Sequence, residues 1–302
     1  MIEIRGVAKT FGALRALDGI DLTVRKGELF GLIGRNGAGK STLFQLMLGL
    51  LSADEGRVQV DGECAGAPRF RAVKRRLGYL PENVVLYDNL SGLETLRFFA
   101  RLKGADAAGC MPLLEQVGLA AAARRKVREY SKGMKQRLGF AQALLGDPSL
   151  LFLDEPTNGL DPEGIREFYR TLNIRQEAGT TIVVTSHILA EIEQRVDRLA
   201  ILQAGRIRAA GSVSALRGEA NLPLSIEVVA LSDDTHAIAE ALRRAPFGEL
   251  TILGRHVVFE CPREAKMAAI AALAPLHGRI ADLQIHEPSL EDVFLGCMEM
   301  NT

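Results

Sequence analysis

The sequence predicts an α/β fold with a mainly parallel sheet, followed by a small C-terminal α+β domain of order βαββαβ. Three observations carry this. Short apolar runs at 28–33, 150–153, 181–184 and 199–202 have the length of strands buried on both faces, and helical patterns separate them. A glycine-rich turn links the first run directly to the helical stretch Ser41–Leu48. Beyond residue 217 the order becomes strand, helix, two strands, helix, strand.

The elements follow in order. Ile2, Ile4 and Val7, then Ile20, Leu22 and Val24, alternate as half-buried strands do. Residues 91–146 are helical: Leu93, Leu96, Phe99 and Leu102 recur at helical spacing, as do Met134, Leu138, Ala141 and Leu145. Asp161-Pro162 is a helix start, with aspartate as N-cap and proline in the first turn. The pattern breaks at 217–223 (GEANLP after Arg217), a candidate linker that sets domains of 1–217 and 218–302. After it come strands at 225–231, 250–253, 256–261 and 280–285, helices at 234–244 and 264–276, and a last helix at 290–298.

Composition removes several function classes. The 302 residues hold 37 Lys and Arg against 37 Asp and Glu, and this zero balance argues against a uniformly basic nucleic-acid binder. Cys64, Cys110, Cys261 and Cys297 form no CxxC pair, and each reads as a small buried hydrophobe. The five histidines show no metal-ligand spacing. The opening MIEIRGVAKTFG has no signal-peptide pattern, and no run reaches the ~18 apolar residues of a membrane span. The expectation is a cytoplasmic chain that meets a membrane only through a partner.

Residues Gly34-Arg35-Asn36-Gly37-Ala38-Gly39-Lys40-Ser41 fit GxxxxGK[ST] between a strand and a helix. The glycines let backbone N–H groups turn toward phosphates, and the helix N-terminus adds positive potential. Lys40 supplies a point charge to the β- and γ-phosphates, and Ser41 a hydroxyl for Mg²⁺. The run 150–153 ends in Asp154-Glu155, carboxylates placed to hold Mg²⁺ and to deprotonate an attacking water. Ser131-Lys132-Gly133 opens a helix whose N–H groups form a further phosphate-binding surface. His187 follows a strand end at the carboxyl edge of the sheet, within reach of a γ-phosphate or its attacking water.

In this order and spacing, Gly34–Ser41, Ser131–Gly133, Asp154-Glu155, Gly159-Leu160-Asp161 and His187 resemble the ATP-binding subunits of ABC transporters over residues 1 to about 217. The resemblance implies a P-loop NTPase fold with an antiparallel β subdomain and a helical subdomain, hydrolysing ATP with Mg²⁺. It implies that Phe11 stacks on adenine and that Gly34 to Thr42 hold the phosphates. Ser131 and Gly133 would touch the ATP of the opposite subunit. Glu155 would be the catalytic base, His187 the switch histidine, and Asp161 part of the loop coupling the two sites. Ser41, Glu82 and Asp154 are the implied Mg²⁺ ligands. It further implies a homodimer docked on an integral membrane permease at the inner face of the cell membrane, with no nucleic-acid partner.

Three motifs depart from the family pattern. The signature is YSKGM, with Lys132 for glycine and Met134 for glutamine; Glu82 stands where a glutamine is usual; Phe11 replaces tyrosine. Glu82 cannot donate as an amide does, whereas Phe11 keeps the π-face. The stretches 78–104, 130–148 and 283–295 resemble one branch in particular, the copper-processing ABC ATPase of nitrous oxide reductase maturation. That branch implies a copper- or sulfur-related substrate and a periplasmic accessory protein acting through the permease. The alternative is an ABC exporter of drugs, polysaccharides or another substrate. A soluble ABC ATPase acting on nucleic acid or ribosomes usually carries a coiled-coil insertion or tandem units, and a plain P-loop kinase would not need Ser131–Gly133 together with His187.

The zero charge hides a split. Residues 218–302 hold 6 Lys and Arg and 13 Asp and Glu, so the remainder carries +7 and the tail −7. No motif with chemistry lies in the tail, and it reads as a dimerisation or regulatory appendage.

Overall fold

A computed structural model describes residues 1–220, 222–231, 234–243 and 247–292. The chain divides into two units, Met1–Ser212 and Val213–Thr302.

The first unit opens with β1 (Ile2–Phe11), β2 (Leu14–Val24), β3 (Leu29–Ile33) and α1 (Lys40–Met47). Then come β4 (Glu55–Val60), β5 (Glu63–Cys64), α2 (Phe70–Arg75), β6 (Leu77–Leu80), α3 (Gly92–Lys103), α4 (Cys110–Gln116) and α5 (Lys132–Ala143). It ends with β7 (Leu150–Leu153), α6 (Pro162–Glu177), β8 (Thr181–Ser186), α7 (Leu189–Ile192), β9 (Arg198–Gln203) and β10 (Arg206–Gly211). The central sheet has the order β10-β9-β3-β8-β7-β6. It is parallel from β9 to β6, and only β10 runs antiparallel. Every residue of β3, β7 and β8 is buried, which explains the apolar runs 29–33, 150–153 and 182–184 within them. A second, antiparallel sheet, β2-β1-β4-β5, packs Ile4, Leu17 and Ile20 into one core with Phe30, Phe44 and Phe152.

Helices α3, α4 and α5 make the helical part. A reciprocal cap starts α3: Glu94 N donates to Ser91 Oγ at 3.3 Å, and Ser91 N donates to Glu94 Oε2 at 2.7 Å. The Ser91 hydrogen bonds, with help from Lys126, hold the Glu94 carboxyl down at about 2. Gly104, with φ of +74°, stops the helix.

Four strands of this unit, β4, the two-residue β5, β6 and β10, leave no clear mark in the hydrophobic pattern. Only Val58 and Val60 of β4 are buried, β6 has four residues, and β10 is an edge strand without a fully buried residue. Short or one-sided strands leave little periodicity to read.

The second unit holds α8 (Val213–Ala220), β11 (Leu224–Ala230), α9 (Thr235–Arg243), β12 (Leu250–Leu253), β13 (His256–Cys261), α10 (Lys266–Leu273) and β14 (Ile280–His286). Its sheet, β12-β13-β11-β14, is antiparallel throughout. Ile226, Val228, Val257 and Phe259 meet Ile238, Leu242, Ala269 and Leu273 in its core. The expected linker at 217–223 is corrected here, because α8 runs through Gly218 and the unit begins at Val213. Leu216 is buried, and Arg217 lies 3.7 Å from Glu287, contacts that outweigh the roughly 1 kcal/mol a glycine costs an exposed helical position. Leu290–Asp292 are helical, and the rest of the expected terminal helix, with Cys297, lies outside the described residues. Cys110 and Cys261 are buried as expected, whereas Cys64 is exposed. Among the described residues no helix is long and apolar enough to cross a membrane.

Candidate active site

Strand β3 delivers the chain to the loop 34–39, and α1 leaves it at Lys40. Two glycines are dictated by close approach. A Cβ on Gly34 would lie 2.4 Å from the Leu202 carbonyl oxygen. Gly39 has φ of +108°, and a Cβ there would lie 2.8 Å from the Ala16 carbonyl oxygen. No side chain caps α1, so its first N–H groups stay available to an anion. Lys40 Nζ donates to the Gly34 carbonyl at 2.6 Å and lies 3.4 Å from Glu155 Oε1. Both of these side chains are 7% exposed, so an ion pair stands where water is scarce.

The carboxylates hang from the end of β7. Thr185 at the end of β8 holds both: its hydroxyl donates to Asp154 Oδ1 at 2.6 Å and accepts from Glu155 N at 2.8 Å. Glu155 has φ of +47°, a left-handed conformation that costs a non-glycine residue and that clusters at functional sites. His187 Nδ1 lies 2.7 Å from Glu155 Oε2; against an ionised carboxylate that nitrogen carries the proton and donates. Burial pushes the Asp154 carboxyl up; the Thr185 hydrogen bond opposes this, Glu155 and Glu82 add to it, and Lys40 opposes it. The nearby Tyr79 hydroxyl is pushed up to about 12, chiefly by burial and then by Asp154 and Glu82.

One cavity of about 750 Å³ gathers most of the expected residues. Phe11, Arg35, Asn36, Gly37, Gly39, Lys40, Ser41, Thr42, Glu82, Asp154, Glu155 and His187 all line it. Gly34 and buried Ala38 shape the loop: the Gly34 carbonyl receives Lys40, and Ala38 N donates to the Arg35 carbonyl at 3.1 Å. Phe11 is 46% exposed, an uncovered aromatic face at the cavity wall. Ser41, Glu82 and Asp154 bring a hydroxyl and two carboxylates to the same space, an all-oxygen donor set that suits Mg²⁺. Five lining residues escaped the sequence reading: Leu14, Arg15, Ala16, Ala204 and Gly205. The last two turn between β9 and β10, and with β10 unrecognised there was no hairpin to suggest them.

Ser131, Gly133 and Asp161 are not in this cavity; they form a second cluster. Ser131 caps α5 by accepting from Met134 N at 3.2 Å. Asp161 caps α6 by accepting from Gly164 N at 2.9 Å and also takes Arg137 Nη2 at 3.3 Å. A Cβ on Gly133 would lie 2.8 Å from the Gly159 carbonyl oxygen, so only glycine lets α5 approach this loop. Lys132, the residue in place of glycine, runs its stem along Gly159; its Cδ is 3.0 Å from where a Cβ there would sit. Gln136 Nε2 donates to the Pro156 carbonyl at 3.0 Å, tying α5 to the segment just after Glu155.

The ABC transporter family matches residues 17–158. An uncharacterized ABC transporter ATP-binding protein, YhcH of Bacillus subtilis, is 36% identical over 98% of this chain and 95% of its own. The daunorubicin resistance ATP-binding protein DrrA3 of Streptomyces coeruleorubidus is 35% identical over 97% of this chain and 94% of its own. A solved ATP-binding subunit of an ABC transporter superposes with a TM-score of 0.67 at 32% identity, covering 72% of this chain and 92% of that one. None of these names points to copper handling. The chain belongs to the ATP-binding proteins of ABC transporters, ATPases whose hydrolysis is coupled to transport.

Proposed function

We propose that the chain is the ATP-hydrolysing subunit of an exporter of small antibiotic-like molecules. The observation that carries this is the match through both units to a daunorubicin resistance protein, at 97% of this chain. The copper-processing reading of nitrous oxide reductase maturation, with its periplasmic accessory protein, is the second reading, and the stretches 78–104, 130–148 and 283–295 support it. Deleting the gene decides between them. Export predicts a lower inhibitory concentration for some antibiotics with unchanged copper in nitrous oxide reductase, and the reverse result overturns it.

Phe11 stacks on the base, and the loop 34–42 with the N-terminus of α1 receives the phosphates. Lys40 leaves Glu155 for the β- and γ-phosphates. Mg²⁺, held by Ser41, Glu82 and Asp154, would supply positive charge to the phosphoryl oxygens. Glu155, oriented by His187, takes a proton from water as the water oxygen bonds to the γ-phosphorus and the bond to the ADP oxygen breaks. Lys40 and His187 offset the charge of the separating phosphate.

The cluster of Ser131, Gly133 and Asp161 lies outside the cavity of its own chain, which supports a homodimer in which it faces the nucleotide of the partner. Val85, Tyr87 and Phe98 are large apolar side chains left exposed just after Glu82 and on α3, and they support docking of a membrane permease there. The chain would then work at the cytoplasmic face of the membrane. Co-purification with a membrane protein that is lost on changing Tyr87 and Phe98 to Ser tests this, and co-sedimentation with ribosomes or DNA instead would overturn it.

A further inference from the structure

We propose that Arg15 is a nucleotide-binding residue whose guanidinium donates to the α-phosphate of the bound nucleoside di- or triphosphate. This rests on the nucleotide reading of the cavity. Arg15 lines that cavity but belongs to no motif of the sequence.

Its position along the cavity is set from both sides. Across the β1–β2 hairpin, Phe11 pairs with Leu14 and Thr10 with Arg15, so the aromatic end is one residue away. In the other direction, the next carbonyl along the strand, that of Ala16, lies 2.8 Å from where a Cβ on Gly39 would sit. Strand β2 is therefore pressed against the phosphate loop immediately before Lys40. Arg15 stands between the wall for the base and the wall for the terminal phosphates. In a nucleotide the ribose and the α-phosphate occupy that interval, and the anionic α-phosphate is the group a guanidinium fork fits.

The guanidinium is aimed rather than consumed. Its Nε lies 2.7 Å from Asp18 Oδ1, while Nη2 is 3.8 Å from Glu55 Oε1, beyond hydrogen-bond distance. Asp18 is itself anchored: Arg206 Nε donates to its Oδ2 at 2.7 Å, and its backbone N–H donates to the Gly205 carbonyl at 2.8 Å. Asp18 is thus a positioning residue that fixes one edge of Arg15 and leaves the terminal nitrogens for a ligand.

Equilibrium binding of ATP, ADP and GTP to the full chain tests this with Arg15→Ala, Arg15→Lys and Lys40→Ala. Arg15→Ala is expected to raise Kd for all three nucleotides by the same factor, about tenfold, the scale of a lost hydrogen bond to a charged group. Arg15→Lys should recover part of the loss. The melting temperature of the nucleotide-free Arg15→Ala chain should match wild type, because exposed ion pairs add little stability. Unchanged affinity in Arg15→Ala beside a loss in Lys40→Ala overturns the role of Arg15 alone. A loss for ATP that spares GTP also overturns it, since that is contact with the base. Unchanged affinity in both variants overturns the nucleotide reading of the cavity, and this proposal with it.

Discussion

The two units of the chain are built from the same materials and use them differently. Each has a sheet with packed helices and a continuous apolar core. In the first unit, however, Lys40, Asp154 and Glu155 are buried at the carboxyl ends of parallel strands or beside them, held by Thr185, His187 and the Gly34 carbonyl. In the second, among the described residues, the charged side chains are exposed or half-buried and the buried ones are almost all apolar. Burying charge costs several kcal/mol unless partners are built around it. That cost is incurred in the first unit and not among the described residues of the second, and the reading of the second unit as an appendage to the reaction is a proposal that rests on this contrast.

The sharpest test of this contrast is Glu155→Gln. It should lower kcat by about 10²- to 10⁴-fold, the span of a positioned general base, while ATP still binds. Turnover at the wild-type rate would remove Glu155 from its role. The matching change in the second unit is Phe259→Ala. Removing this fully buried ring should cost that unit about 3–5 kcal/mol in thermal or denaturant unfolding while leaving ATP turnover of the folded chain intact. A parallel collapse of turnover would break the contrast, because it would make the appendage part of the catalytic machinery.

A smaller effect is expected from Lys40→Ala, which should raise Kd for ATP at least about tenfold, since each lost hydrogen bond to a charged group is worth roughly 1.5–3 kcal/mol. Smallest is the pH dependence that Asp154 gives the nucleotide-free chain. Its carboxyl titrates above the ordinary 3.8, chiefly because of burial, so the folded chain holds that proton more tightly than the unfolded one. Stability from this group therefore falls as pH rises from 3.8 through its folded value, and is level above that. Asp154→Asn should remove the slope and melt slightly higher than wild type at neutral pH. A slope that persists in Asp154→Asn would assign it to another group.

Much of both regions could be read along the chain. Runs such as 150–153 and 182–184 are apolar throughout because both sheet faces are covered, and that leaves a plain pattern. The phosphate loop was legible because its glycines and lysine are contiguous. What stayed hidden shares one cause, dependence on contacts distant in sequence. Strand β10 and the turn Ala204–Gly205 carry no apolar run, yet Gly205 comes within 2.7 Å of the Ala16 carbonyl when a Cβ is added. Helix α8 contains the glycine that looked like a linker; within it Leu216 is buried and Arg217 pairs with Glu287, a residue far along the chain.

By itself the sequence determined the parallel α/β order, the βαββαβ tail and the GxxxxGK[ST] loop at 34–41, because each is written in a local period or a contiguous motif, and through its family resemblance it proposed Glu155 as base and His187 as switch histidine. Only the tertiary structure decided that Lys40, Glu155 and His187 form one chain of contacts, that Ser131, Gly133 and Asp161 stand apart as a second cluster, and that Arg15 joins the cavity wall. Those facts depend on which strand lies beside which, and strand order is set by packing between residues far apart in sequence.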